Sequence, residues 1–251
     1  MKPIYYLGFK KGQVQGTFGD VAIKKGLTGA STTRNDTGKP ELSLHYVECH
    51  DNYTLFDKLA MSYIGITECK TAIDLFKAVE EYDTKNSKQA GTGLETIKAE
   101  NKLAAAYIFL SQGTPFINGG QEFMRTKKGN ENSYNSSDEI NQINISMKDT
   151  YSDVYSVYKG LISFRKANPE AFGNNTSAVA NNMKDDANKS IKGYTQLISG
   201  DFCVYFNATD NEQTCDTTGY TKLVDVTSGT PTESTTLPAQ VPAKSFVILK
   251  K

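Results

Sequence analysis

Tryptophan is absent from this chain of 251 residues, histidine occurs twice, and neither sign of charge is in excess. Each scarcity excludes something. Lys+Arg and Asp+Glu both number 28, so the formal net charge is zero. That removes the electrostatic argument for nucleic acid or an anionic membrane as partner. No apolar run approaches the length of a membrane span. The opening residues, MKPIYYLGFKKG, lack the apolar stretch of a signal peptide. In a fragment that start would carry no information on export, so the compartment stays open, with the cytoplasm favoured. The cysteines, Cys49, Cys69, Cys203 and Cys215, show no CxxC spacing, and two histidines cannot complete a zinc set with them. No metal and no other cofactor is expected. The thiols read as free and buried, with a Cys203–Cys215 bridge open only in an oxidising compartment. A Cys49–His50 nucleophile is disfavoured, because neighbours on a strand point to opposite faces. The motifs GxxxxGK[ST], GxGxxG after a strand, GxSxG and HExxH are all missing.

What is present describes an ordinary water-soluble chain, with 38% hydrophobic and 22% charged residues. Its length suffices for one large domain or two smaller ones. Residues 1–40 are rich in Gly, Lys and Thr, and Val21-Ala22-Ile23 fits a short helix or a strand. Residues 42–49 alternate as a strand, with Leu44, Tyr46 and Glu48 on one face and His45, Val47 and Cys49 on the other. A helix is predicted over 54–65, with Thr54 as N-cap and Asp57 placed for a capping box. A polar-faced helix follows over 71–82. Residues 96–113 are rich in helix formers and apolar all round in their second half, which predicts a buried helix stopped by Gly113. The short apolar run 114–119 suits a buried parallel strand, completing a strand–helix–strand order. A long polar segment spans 119–145, and a helix is predicted over 152–168, capped near Ser152 or Asp153 and ended by Pro169. After residue 172 a polar linker, 173–190, leads to β-type segments GYTQLI, DFCVYFNAT, TKLVDV and KSFVILK, as in a small antiparallel sandwich. A domain boundary is therefore read near residue 172, dividing the chain into 1–171 and 172–251.

Functional groups in parallel α/β architectures gather at the C-terminal ends of strands. His50-Asp51-Asn52 lies at such an end. Imidazole N–H donates and carboxylate accepts, so the pair can grip vicinal hydroxyls. An ionised Asp also stabilises the oxocarbenium-like transition state of glycoside cleavage. The plainer alternative makes Asp51 a cap for the helix that follows and His50 a core residue. At the second strand end, Glu122 is either catalytic or paired with Arg125, and the pairing is favoured. The loop GNENSYNSSDEINQ offers Asn132, Tyr134 and Asn135, whose amides and ring suit sugar hydroxyls and the apolar sugar face. A calcium loop is disfavoured, because the EF-hand register is absent.

The segment YVECHDNYTLFDKL (46–59) resembles the YVESHDNxTLWDKL segment of type I pullulanases, the starch-debranching members of glycoside hydrolase family 13. LSQGTPFINGGQEFMRTKKGNENSYNSSDEINQIN (110–144) is similar to their LxQGxPFLxxGEEFxRTKxGxxNSYNxxDxxNQxxW, and LPAQVPAKSFVILK (237–250) to the end of their C-terminal β domain. The resemblance runs from about residue 44 to the C-terminus. It implies a retaining α-glucan hydrolase whose (β/α)8 barrel is followed by an all-β domain. Asp51 would be the transition-state-stabilising aspartate. His50 and Asn52 would contact sugar in the same subsite, and Asn132, Tyr134 and Asn135 would border the cleft. The implied partner is an α-glucan: pullulan, starch, glycogen or maltooligosaccharides.

Departures from the pattern carry weight. The family's nucleophile and general acid precede the HDN motif, and residues 1–40 contain nothing like either motif. A full barrel takes about 250 residues, so 44–168 can supply about two of its eight βα units. Cys49 stands where the family has Ser, Phe56 where it has Trp, Gln121 where Glu is frequent, and Ile145 near a usual Trp. The resemblance therefore implies a C-terminal fragment that is inactive alone. Its unpaired parallel strands should make it sticky or require a partner chain supplying the rest of the barrel. A glucan-binding module, one half of a split enzyme, and a compact glycosidase using Glu122 remain the alternatives.

Overall fold

The computed structural model describes residues 12–15, 23, 26–29, 40–172 and 193–251. Val21, Ala22 and the polar linker 173–190 lie outside the described residues.

Strand β1 is Leu44–His45 and strand β2 is Thr114–Pro115, and they pair in parallel with Leu44 opposite Thr114. The expected strands at 42–49 and 114–119 are thus far shorter. Pro115 has no N–H to give the ladder. After the Phe116 N–H donates to the His45 carbonyl at 2.8 Å, the two chains diverge into turns. Alternation in residues 46–49 reflects packing of a loop, not of a strand.

Three helices join β1 to β2. Helix α1, Leu55–Ile64, begins as expected with Thr54 accepting the Asp57 N–H through its side chain, and Gly65 closes it at φ 79. The capping box is not formed, because the Asp57 carboxylate turns to the 126–129 loop instead. Helix α2, Leu75–Lys85, starts later than the expected residue 71 because Asp74 is the residue that caps it. Helix α3, Thr92–Phe109, ends before Gly113. Its end is held by Arg165, which donates to the carbonyls of Phe109 at 2.6 Å and Ser111 at 2.7 Å and also to that of Gly113. The Phe109 carbonyl is one of the orphan acceptors of the helix terminus, and the Ser111 and Gly113 carbonyls belong to the segment that leads from it to β2. Beyond β2, a 3-10 turn at Gln121–Phe123 and the short helices α4 (Asp138–Asn141) and α5 (Met147–Thr150) break up the long polar segment. Helix α6 is Ser152–Ala167. Its N-cap is Tyr151 without a side-chain bond, because Asp153 is engaged by Lys102 at 2.6 Å and Lys98 at 3.0 Å. Pro169 does not only end α6; it opens the next helix, α7 (Pro169–Phe172), where its missing N–H costs nothing.

The C-terminal strands are β3 (Tyr194–Ser199), β4 (Phe202–Asn207), β5 (Gln213–Thr214), β6 (Lys222–Asp225), β7 (Thr232–Ser234), β8 (Gln240–Val241) and β9 (Ser245–Lys250). Five form one antiparallel sheet in the order β3-β4-β9-β6-β7, and β5 pairs with β8. Side chains alternate along a strand. Phe202, Val204, Phe206 and Ile248 join the helical core, while Cys203, Tyr205, Val247 and Leu249 join a second core with Cys215 and Val241 of the β5–β8 region. All four cysteines are free, and Cys203 and Cys215 are buried without a bridge. The helical core crosses residue 172 without a break. Tyr107 of α3 stacks on Phe206 at 4.6 Å between ring centroids. Gly160 of α6 lies so close to the sheet that a Cβ there would stand 1.9 Å from the Val226 carbonyl oxygen. Lys244, buried, donates to the carbonyls of Val14 at 3.1 Å and Ala208 at 2.9 Å, with Asp210 at 3.1 Å and Glu100 at 3.8 Å. It thereby ties an N-terminal turn, α3 and the sheet together. Among the described residues no helix is long and apolar enough to cross a membrane.

Candidate functional site

Because β1 and β2 run parallel, their C-terminal ends open on the same side. The chain leaving β1 carries Glu48 inward and then His50, Asp51 and Asn52 outward. Glu48 is 3% exposed, whereas the side chains of His50 and Asp51 are 87% and 69% exposed. His50 Nε2 stands 3.4 Å from Asp51 Oδ2. Asn52 adopts φ 65, the left-handed conformation that asparagine tolerates, and this reverses the chain toward α1. Cys49 Sγ donates to the Asp51 carbonyl at 3.8 Å, so Cys49 faces its own turn and not His50. The alternative of a capping aspartate and a core histidine does not hold. Thr54 caps α1, and the buried histidine is the other one, His45. Burial, with Arg165 nearby, brings the His45 imidazole down from 6.5 to about 4, so it is neutral at ordinary pH. It lies under the strand pair and takes no part in the exposed turn.

The two strand ends are joined through Asn118, whose side-chain amide donates to Glu48 Oε1 at 2.9 Å and to the Cys49 carbonyl at 3.4 Å. The polar loop is fastened to the base of α1. Asp57 accepts from Thr126 Oγ1, from the Lys127 N–H at 2.8 Å and from the Gly129 N–H at 3.2 Å. Burial raises the Asp57 carboxyl above its ordinary range, against these bonds. Burial and then the Glu131 charge push the Tyr53 phenol up to about 12. Within the loop, Asn130 donates to Ser136 Oγ at 3.0 Å and Asn141 donates to the Ser133 carbonyl at 2.7 Å. Asn132, Tyr134 and Asn135 point outward, with Tyr134 82% exposed. The loop is therefore internally braced and presents those three side chains to solvent. His50 and Asp51 are brought together in one contact. Asn132, Tyr134 and Asn135 are held on the neighbouring loop.

Glu122 and Arg125 do not pair as expected. Glu122 Oε2 accepts the Gly120 N–H at 2.9 Å, and Arg125 donates to the Asn141 carbonyl at 2.7 Å. Gly120, at φ 98, leaves no room for a Cβ, because the Arg125 side chain packs against it and is half-buried. Two departures from the pullulanase pattern are built into the packing. Phe56 stacks on Phe76 at 4.0 Å, and Gln121 donates its amide to the Tyr158 hydroxyl at 2.9 Å, a role closed to an ionised glutamate. Glu48, Asp57 and Asn118 escaped the sequence reading. The signal for Glu48 was there, a carboxylate inside an apolar run. The signal for Asp57 was masked by its plausibility as a cap.

No family model matches the chain. Pullulanase of Bacillus subtilis is 36% identical over 151 residues, which covers 59% of this chain and 17% of that protein. Isoamylase of Pseudomonas amyloderamosa is 29% identical over 154 residues, 57% of this chain and 19% of that one. Among solved structures, pullulanase from Bacillus acidopullulyticus superposes with a TM-score of 0.74 at 25% identity, covering 97% of this chain and 28% of that one. Pullulanase from Paenibacillus barengoltzii in complex with maltohexaose and α-cyclodextrin gives a TM-score of 0.73 at 26% identity, covering 96% of this chain and 35% of that one. The chain thus spans less than a fifth of these curated relatives and about a third of these structures. The resemblance to pullulanases holds: over most of its length this chain is similar to pullulanases and isoamylases.

Proposed function

We propose that this chain is the C-terminal portion of a pullulanase-like glycoside hydrolase. Residues 1–171 contribute the last βα units of a (β/α)8 barrel and 172–251 its all-β domain. The substrate class is α-1,6-branched glucan. Asp51 is the carboxylate that stabilises developing positive charge, and His50, Asn52, Asn132, Tyr134 and Asn135 contact sugar. The observation that carries this reading is the solvent-facing His50–Asp51 pair at 3.4 Å, presented where a parallel strand ends.

Retaining cleavage needs a nucleophile and an acid about 5–5.5 Å apart, flanking the scissile bond. Neither group is identified here. Glu122, the remaining carboxylate at the second strand end, is occupied by the N–H of its own turn. The chain by itself therefore binds glucan and does not cleave it. The short parallel pair also leaves Leu42, Leu44 and Phe116 exposed, which supports a sheet completed by further strands.

The test is reducing-sugar release from pullulan together with maltotriose binding, using the wild-type chain and Asp51→Ala. Binding without release, lost in the variant, is expected. Release that Asp51→Ala abolishes and Glu122→Gln also abolishes would favour a compact glycosidase instead. Binding that survives Asp51→Ala would favour a non-catalytic module using another surface.

A further inference from the structure

The exposed turn is closed at its base by a carboxylate that the proposed chemistry does not use. Glu48 Oε2 accepts the N–H of Leu55, the first residue of α1, at 2.8 Å, and Oε1 accepts from Asn118 at 2.9 Å. Between Glu48 and Leu55 the chain runs out through His50, Asp51 and Asn52 and comes back. We propose that Glu48 is the positioning residue of this turn: by fastening the end of β1 to the N-terminus of α1 and to Asn118 beyond β2, it holds His50 and Asp51 in the geometry that grips a glucosyl unit. The inference rests on the glucan reading of the turn for its functional half, and on geometry alone for its structural half.

A carboxylate suits the position for a physical reason. Two N–H donors converge on one side chain from different elements, and only a carboxylate offers each of them an acceptor atom. The Leu55 N–H is one of the orphan donors of a helix terminus, where the dipole also favours negative charge. A glutamine of the same size turns one acceptor into a donor. Asn118 can meet that new donor only by turning its own amide over, which gives up its bond to the Cys49 carbonyl. The turn would then lose one of its ties. Holding a carboxylate here is costly. Burial raises Glu48 to about 7, against the two hydrogen bonds and the nearby Arg125, and with Asp57 opposing the charge. Lys127, whose own ammonium burial disfavours, also feels the Glu48 charge.

The experiment compares wild type, Glu48→Gln and Asn118→Ala by amide NMR, with maltotriose titration and pH titration of the Leu55 amide proton. Folded variants are expected to show displaced resonances for residues 49–52 and maltotriose affinity reduced about tenfold, the scale of one bond to a charged acceptor. The Leu55 amide should titrate near pH 7 in wild type and not in Glu48→Gln, a signature that general destabilisation does not produce. Wild-type resonances at 49–52 in folded Glu48→Gln would overturn the proposal. If wild type binds no maltotriose, the glucan reading fails separately, and the same resonances still decide whether Glu48 sets the turn. If Glu48→Gln does not fold, Asn118→Ala carries the comparison, because it removes one donor and keeps the carboxylate.

Discussion

Strand β4 buries all six of its residues between two cores, whereas β1 buries one of its two. Both come from segments that read as apolar strands. β4 has β3 on one edge and β9 on the other, with helices α3 and α6 below and the β5–β8 pair above. β1 has only β2, among the described residues, and its outward side chain, Leu44, is exposed. A strand is as long as its partners allow. The antiparallel sheet finds its partners within residues 194–250: β3 and β4 through a two-residue turn, and β4 and β6 on either side of the last strand, β9. The parallel pair needs crossovers, and the described residues supply one. The difference places the larger buried core in the sheet and its junction with the helices, while the proposed sugar contacts lie at the exposed rim of the strand pair.

The largest effect that could break this contrast is a cavity in the sheet core. Phe206→Ala removes a buried ring stacked on Tyr107 and should cost about 3–5 kcal/mol, read from the denaturant midpoint at unchanged slope. A small loss would mean that the sheet is not the stable half.

Next in size is a pH effect on the strand-pair side. His45 is lowered from 6.5 to about 4, chiefly by burial, so its stability contribution is present above 6.5 and is lost as pH falls toward 4. Glu48 is raised from 4.5 to about 7, again chiefly by burial, so its contribution is present below 4.5 and is lost as pH rises through 7. Each is worth about 3 kcal/mol across its window. The two oppose each other between these limits. Relative to wild type, His45→Gln should therefore gain stability toward acid and Glu48→Gln should lose it, with limiting slopes of about 1.4 kcal/mol per pH unit. Parallel profiles for all three proteins, measured by thermal melts from pH 4 to 7.5, would contradict the burial of these two groups.

Gly160→Ala tests the junction. Its Cβ would meet the Val226 carbonyl, so α6 and the sheet must separate, at about 1–3 kcal/mol. The smallest effect sharpens the contrast from the other side. His50→Ala and Asp51→Ala should change stability by less than about 0.5 kcal/mol, as exposed substitutions do, while maltotriose binding followed by calorimetry disappears.

Much of this was legible in local sequence. Thr54 as cap of α1, the course of α6 and the four longest strands of the sheet follow from capping residues and two-residue alternation, which depend on neighbours in the chain. The exposed His50-Asp51-Asn52 turn was legible too, because a polar tripeptide interrupts apolar segments at a strand end. The supports of that turn were not. Glu48 finds Asn118, Asp57 finds Lys127, and Arg165 finds the end of α3, each across a long separation in the chain. A capping motif suggested a local use for Asp57, and the tertiary partners prevailed because a buried carboxylate must be satisfied wherever donors are to be found.

The sequence by itself determined the longer helices, the four longest strands of the C-terminal sheet and the chemical character of the exposed turn, since these rest on short-range sterics and on periodicity. Only the tertiary structure decided how far β1 and β2 extend, that the helical core continues through residue 172 into the sheet, and that the buried Glu48 accepts from both Leu55 and Asn118. Those outcomes depend on which distant donors and apolar surfaces meet, and no local pattern encodes that meeting.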